Sequence, residues 1–154
     1  MAAYYCDSSA LVKRYVREAG SRWLAGIVDP RSRNTVFTVL VTGVEIVAAI
    51  SRRTRMGLIS PTNATAAINA FKGHFAAQYR VMLVAPAIVA RAMDLAEQHG
   101  LRGYDAIQLA SALAVQSELT AGGVTRLTFL SADHNHNSAA QAEQLLVDNP
   151  NTHP

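Results

Sequence analysis

Four acidic residues stand out by their surroundings: Asp7, Glu45, Asp105 and Asp133. Asp7 follows the apolar run Ala2-Ala-Tyr-Tyr-Cys6, and Asp133 closes Leu130-Ser-Ala-Asp133. Glu45 lies within Val-Thr-Gly-Val-Glu-Ile-Val-Ala-Ala-Ile, with alanines at its i+3 and i+4 positions. Asp105 opens the helical-period run Leu101-Arg-Gly-Tyr-Asp-Ala-Ile-Gln-Leu-Ala-Ser-Ala-Leu113, and no cation follows it by three or four residues to form a helix ion pair. Glu18 differs: Arg14 and Arg22 stand at helical distance, and it reads as an ordinary surface acid. Each of the four has a bland explanation. Asp105 with Gln108, and Thr42 with Glu45, match capping boxes; Asp7 and Asp133 match helix caps or turns. The joint reading is different. Carboxylates that converge without cations repel one another, and burial raises that cost. A hard divalent cation, Mg²⁺ or Mn²⁺, relieves it through oxygen ligands. The chemistry that uses such a cluster is phosphodiester hydrolysis, in which metal ions activate water and hold the reacting oxygens in line.

The intervening elements must bring these acids together. Ala2–Cys6, Thr35–Val39, Arg80–Val84 and Leu127–Leu130 read as strands, with a fifth over Leu145–Val147. Helical spacing predicts a helix from Ser8 to Gly20 with Lys13 and Arg14 facing out. Others are predicted over Ser21–Val28, Thr42–Ser51, from Pro61, over Pro86–His99, from Asp105 to about Leu119, and over Ala139–Leu145. Short, unalternating apolar strands between helices predict a three-layer α/β/α fold around a central parallel sheet of about four or five strands. Ligand sites in such sheets form beyond the carboxyl ends of the strands. Asp7 and Asp133 follow strands there, and Glu45 and Asp105 open neighbouring helices.

Composition sets the bounds. At 154 residues, half of them hydrophobic, the chain suits one domain, taken as 1–148 with a frayed tail over 149–154. The formal net charge of +3 permits a nucleic-acid or acidic partner without requiring one. The single cysteine, Cys6, lies in an apolar run and reads as buried and inert in a reducing compartment. Asp7, Lys13 and Arg14 interrupt the N-terminal apolar run, so neither a signal peptide nor a membrane span is expected, and the expected location is cytoplasmic.

Asp7-Ser-Ser-Ala-Leu-Val-Lys-Arg-Tyr, Thr42-x-x-Glu45, Gly103-Tyr-Asp-Ala-Ile-Gln-Leu-Ala and Leu130-Ser-Ala-Asp133 resemble, in order, the four acidic motifs of PIN domains. The chain's size and its Ser-Ala-Leu-Val-Lys opening are most similar to the VapC toxins of toxin–antitoxin pairs. The resemblance implies a PIN-like Mg²⁺- or Mn²⁺-dependent endoribonuclease that cleaves RNA, forms a homodimer and is inhibited by a VapB-type antitoxin. It makes Asp7, Glu45, Asp105 and Asp133 the catalytic, metal-binding acids. Ser9 and Ser131 become candidates for orienting a ligand or water, and Arg102 a candidate for contacting RNA phosphate. One departure stands out. His134-Asn-His-Asn137 occupies the place where such proteins carry an apolar residue, and it reads as a solvated polar loop. Arg52, Arg53 and Arg55 suit either an RNA backbone or a solvated helix end. Two other classes compete with the nuclease. One is a catalytically silent binding module for a protein or nucleic acid. The other is a phosphoryl-transfer domain using Asp7 as nucleophile, and the second acid that chemistry wants two residues on is Ser9.

Overall fold

The computed structural model describes residues 1–124 and 126–153. Five parallel strands form the sheet, in the order β3-β2-β1-β4-β5: β1 Ala3–Cys6, β2 Thr35–Val39, β3 Arg80–Met82, β4 Leu127–Leu130 and β5 Leu146–Asp148. The helices are α1 Ser8–Leu11, α2 Ser21–Val28, α3 Thr42–Arg55, α4 Pro61–Ala77, α5 Pro86–His99, α6 Gly103–Ala121 and α7 His134–Ala142. The strands are apolar on both sides because both sides are covered. Tyr5 of β1 stacks on Phe129 of β4 in the core beneath α5 and α6, where Leu95, Leu109 and Val115 are buried. Its neighbour Cys6 points into the opposite core, among Leu11, Leu24, Ile46 and Phe71. The three-layer α/β/α architecture expected from the sequence is the one found.

The strand order has a functional consequence. From β1 the chain steps outward through β2 to β3, then α5 and α6 carry it back to β4 on the other side of β1. The connection reverses direction between β1 and β4. In open α/β sheets, ligands settle beyond the carboxyl ends of the strands at such a point. Asp7 leaves β1 there, and its backbone N–H extends the ladder to the Leu130 carbonyl of β4 at 3.1 Å.

Two local expectations are corrected. The helix predicted to run to Gly20 is one α turn, tightened to a 3₁₀ turn over Val12–Arg14. Lys13, expected to face out, is buried and bonds Glu18 at 3.1 Å; Arg53 of α3 grips the same carboxylate. Glu18 is therefore no ordinary surface acid. The tail beyond residue 148 is packed rather than frayed. Pro150 is buried, residues 150–152 form a 3₁₀ turn, and the His153 ring stacks on Trp23 with centroids 4.0 Å apart. Gly20 makes room for it: at φ 81°, a Cβ there would lie 2.1 Å from the Pro150 carbonyl oxygen. Pro154, the end of the expected tail, lies outside the described residues.

Candidate active site

Asp7 is the most enclosed of the four acids, 3% exposed. Its Oδ1 accepts from the Ala10 N–H at 2.9 Å, capping α1, and from the Ser9 hydroxyl at 2.7 Å. Its Oδ2 lies 3.0 Å from His136 Nδ1. Ser9 Oγ also accepts from the Ala132 N–H at 2.9 Å and lies 3.2 Å from Ser131 Oγ, fastening the end of β1 to the turn after β4. Ser131 is fully buried, and its hydroxyl accepts from the Asp133 N–H at 3.0 Å. The structure buries this hydroxyl within the turn, at the position where the resemblance implies a group that orients a ligand or water.

Glu45, in the first turn of α3, is held by neutral donors alone. The Ser8 hydroxyl donates to one oxygen at 2.8 Å and Gln108 Nε2 to the other at 2.8 Å. Gln108 is itself fixed. It donates to Thr42 Oγ1 at 2.9 Å and accepts from the Tyr5 hydroxyl at 3.0 Å, and Thr38 donates to Thr42 Oγ1 at 2.8 Å. Neither capping box forms. Thr42 is inside α3 and buried in this network. The cap position of α6 is Arg102, which leaves Asp105 in the first turn with no capping role for its side chain. Sequence reasoning missed Gln108 as a positioning residue because its spacing from Asp105 imitates a box. The usable signal was an amide in an otherwise small and apolar helical stripe.

Asp133 caps α7, accepting from the His136 N–H at 3.1 Å. The expected solvated loop over His134–Asn137 is instead the start of this helix. His136 is 1% exposed, with its ring edge-on to Phe129 at 4.9 Å. The sequence hides it, because apolar periodicity starts the predicted helix at Ala139. Read from Asp133, the spacing of His136, Ala139 and Ala140 already marks an inward face.

The electrostatics tie the four acids together. Burial pushes the Glu45 carboxyl above its usual range, and the charges on Asp7 and Asp105 add to the rise against the bonds from Gln108 and Ser8. Asp105 is also pushed up, chiefly by burial and then by Asp7 and Asp133, with His136 and Arg102 opposing. For His136, burial alone would favour the neutral ring. The bond to Asp7 and the charges of Asp7 and Asp105 outweigh it, and its pKa is raised. Glu45, Asp105 and Asp133 line one cleft of about 470 Å³, with Arg52 and Arg102 on its wall. A neighbouring cleft of about 570 Å³ shares Glu45, Asp105, Arg52 and Arg102 and adds the exposed Val44 and Tyr104.

The donor set fits a hard divalent cation. It consists of carboxylate oxygens, with Glu45 and Asp105 pushed up by burial and then by neighbouring acids, and among the described residues no lysine or arginine is paired with any of the four. Among those residues, no three acidic or imidazole side chains form a ready coordination shell. Mg²⁺ commonly takes one or two direct carboxylates and keeps several waters, which is a smaller demand.

No protein-family model matches the sequence, and no curated protein matches it either. Solved structures do match. PAE2754 from Pyrobaculum aerophilum superposes with a TM-score of 0.63 at 17% identity, covering 98% of this chain and 91% of its own. VapBC2 from Rickettsia felis, bound to a DNA fragment from its promoter, gives 0.62 at 12% identity over 97% and 98%. A toxin–antitoxin complex from Klebsiella pneumoniae gives 0.56 at 17% identity over 96% and 97%. The fold is PIN-like. At such identities the likeness extends to the backbone path. Within the PIN-like frame, the site rests on this chain's own side chains.

Proposed function

We propose that this chain is a Mg²⁺- or Mn²⁺-dependent endoribonuclease, the toxin of a VapBC-type toxin–antitoxin pair. The observation that carries the reading is the gathering of half-buried carboxylates with elevated pKa values at the sheet's switch point, without a lysine or arginine partner. In this reading Asp7, Glu45, Asp105 and Asp133 surround the metal, one or two of them directly and the others through its waters. When bound, it would supply an acidified water and charge neutralisation at the scissile phosphodiester. The chain's residues do the rest. Ser8 and Gln108 fix Glu45, Ser9 fixes Asp7, and the exposed Arg102 offers a guanidinium to phosphate beside Asp105. Support for the partner comes from the similar structures, one of which is a toxin–antitoxin complex and another VapBC2 bound to a DNA fragment from its promoter. A VapB-type antitoxin is the corresponding partner here, a homodimer the corresponding assembly, and the cytoplasm the place of action. No helix among the described residues is long and apolar enough to cross a membrane.

The test is cleavage of an RNA by the purified chain with Mg²⁺ or Mn²⁺ and with EDTA. Cleavage should require the metal and fall on the order of a thousandfold or more in Asp105→Asn, equivalent to about 4 kcal/mol of barrier. Asp105 is the better probe than Asp7. Asp7 caps α1 and faces buried His136, so Asp7→Asn also weakens the fold. Full activity of Asp105→Asn would end the nuclease assignment. A second reading, a catalytically silent binding module, draws on the engagement of both Asp7 oxygens by protein donors. It requires that Mn²⁺ leave the melting temperature unmoved, whereas a metal site raises it with concentration.

A further inference from the structure

An ionised carboxylate offers about four acceptor positions, two on each oxygen. On Asp7 three are filled by the protein. Oδ1 takes the Ala10 N–H and the Ser9 hydroxyl, and Oδ2 takes His136 Nδ1. One position remains, on Oδ2, beside the imidazole. The imidazole is firmly placed: it is fully buried, stands edge-on to Phe129, and belongs to the helix that Asp133 caps. Nδ1 must carry the proton, because an ionised carboxylate only accepts. The other ring nitrogen, Nε2, is buried and has no hydrogen-bond partner. By distance and angle the ring has one hydrogen-bond partner, the Asp7 carboxylate, and the Asp105 backbone carbonyl adds only a smaller pull on its proton.

We propose that His136 is a positioning residue for Asp7, restricting it to a single-toothed ligand whose one open Oδ2 lone pair is set for a divalent cation. This rests on the metal reading above and assigns a role to the side chain at which the sequence departs from the family pattern. Without the Nδ1–H donor, the carboxylate gains a second open position on Oδ2 and loses its only contact on that oxygen. It is then free to twist about its Ser9 and Ala10 anchors. Partners of this kind, one step removed from a metal, are worth about 10–100-fold in metal affinity.

The experiment is a Mn²⁺ titration of the full chain followed by thermal melting, for the wild type, His136→Phe and His136→Asn. Phe keeps the ring volume against Phe129 and removes the donor. Asn keeps an N–H donor near the place of Nδ1. The expected result is a Mn²⁺ midpoint raised about 10–100-fold in His136→Phe and restored to within about threefold of wild type in His136→Asn. A purely structural role would lower the melting temperature in EDTA and leave the Mn²⁺ midpoint alone. A wild-type midpoint in folded His136→Phe, or equal loss in both variants, overturns the proposal. Should His136→Phe not fold, His136→Leu serves the same comparison with a smaller side chain. If Mn²⁺ has no effect on the wild type, the metal reading itself falls and takes this role with it.

Discussion

Glu18 and Glu45 face the same cleft and are treated in opposite ways. Glu18 is gripped by two cations, buried Lys13 and Arg53 from α3. Glu45 receives only the neutral donors Ser8 and Gln108, and the nearby charges on Asp7 and Asp105 work against its ionisation. The chain neutralises the first acid itself, which ties α1, the segment after it and α3 into one unit. It orients the second without neutralising it. Two carboxylates in one cleft thus do different work: one is a structural counter-ion, the other an acceptor that remains electrostatically unsatisfied. The lesson is that hydrogen bonding fixes where a carboxylate points, and only a cation settles its charge.

The comparison breaks most visibly at Lys13. Lys13→Met keeps the apolar stem and deletes the charge, leaving Glu18 with Arg53 alone. Breaking one arm of a largely buried pair should cost about 1–3 kcal/mol. For a chain of this size that is a fall of roughly 2–10 °C in melting temperature. The Mn²⁺ midpoint should not move. Unchanged stability would mean that Glu18 is as ordinary as its sequence neighbours suggested.

Glu45→Gln sharpens the other side. The amide keeps an acceptor for Gln108 and removes a charge that Asp7 and Asp105 oppose. In EDTA the melting temperature should rise by roughly 1–4 °C, the equivalent of up to about 1 kcal/mol of relieved repulsion. The stabilisation given by Mn²⁺ should shrink in the same variant. A lower melting temperature in EDTA would show that the Ser8 and Gln108 bonds outweigh the repulsion.

Much of this contrast was legible in the sequence, and the reasons for the rest are physical. The strands were readable because a parallel sheet buried on both faces demands continuous apolar runs. The placement of the four acids followed, since strand ends and first helical turns mark one edge of such a sheet. The positioning residues were harder. Gln108 and Thr42 are the same residue types, at the same spacing, that build capping boxes, and only the tertiary fold distinguishes a buried donor from a cap. His136 was hidden in a polar stretch whose first turn has no apolar residue to signal a helix. Lys13 and the packed tail depend on partners that no periodicity links to them: Arg53 and Glu18 for one, Gly20 and Trp23 for the other.

The cations of the cleft divide as the acids do. Lys13 and Arg53 are committed to Glu18, while Arg52 and Arg102 line both clefts and make no ion pair among the described residues. An arginine held by a carboxylate contributes to the fold; an uncommitted one beside acids that repel each other is available to a phosphate. Arg102→Ala should therefore leave the melting temperature within the small range of surface substitutions, about 0.5 kcal/mol. Its effect should appear on RNA instead. Binding by an Asp105→Asn background, which separates binding from cleavage, should weaken across sequences, and the slope of log affinity against log salt should fall by about one. The same substitution at Arg53 should do the reverse, lowering stability and leaving the salt slope nearly unchanged. If Arg102→Ala and Arg53→Ala alter the slope equally, the division into committed and uncommitted cations has no bearing on RNA, and the basic wall acts only as a diffuse field.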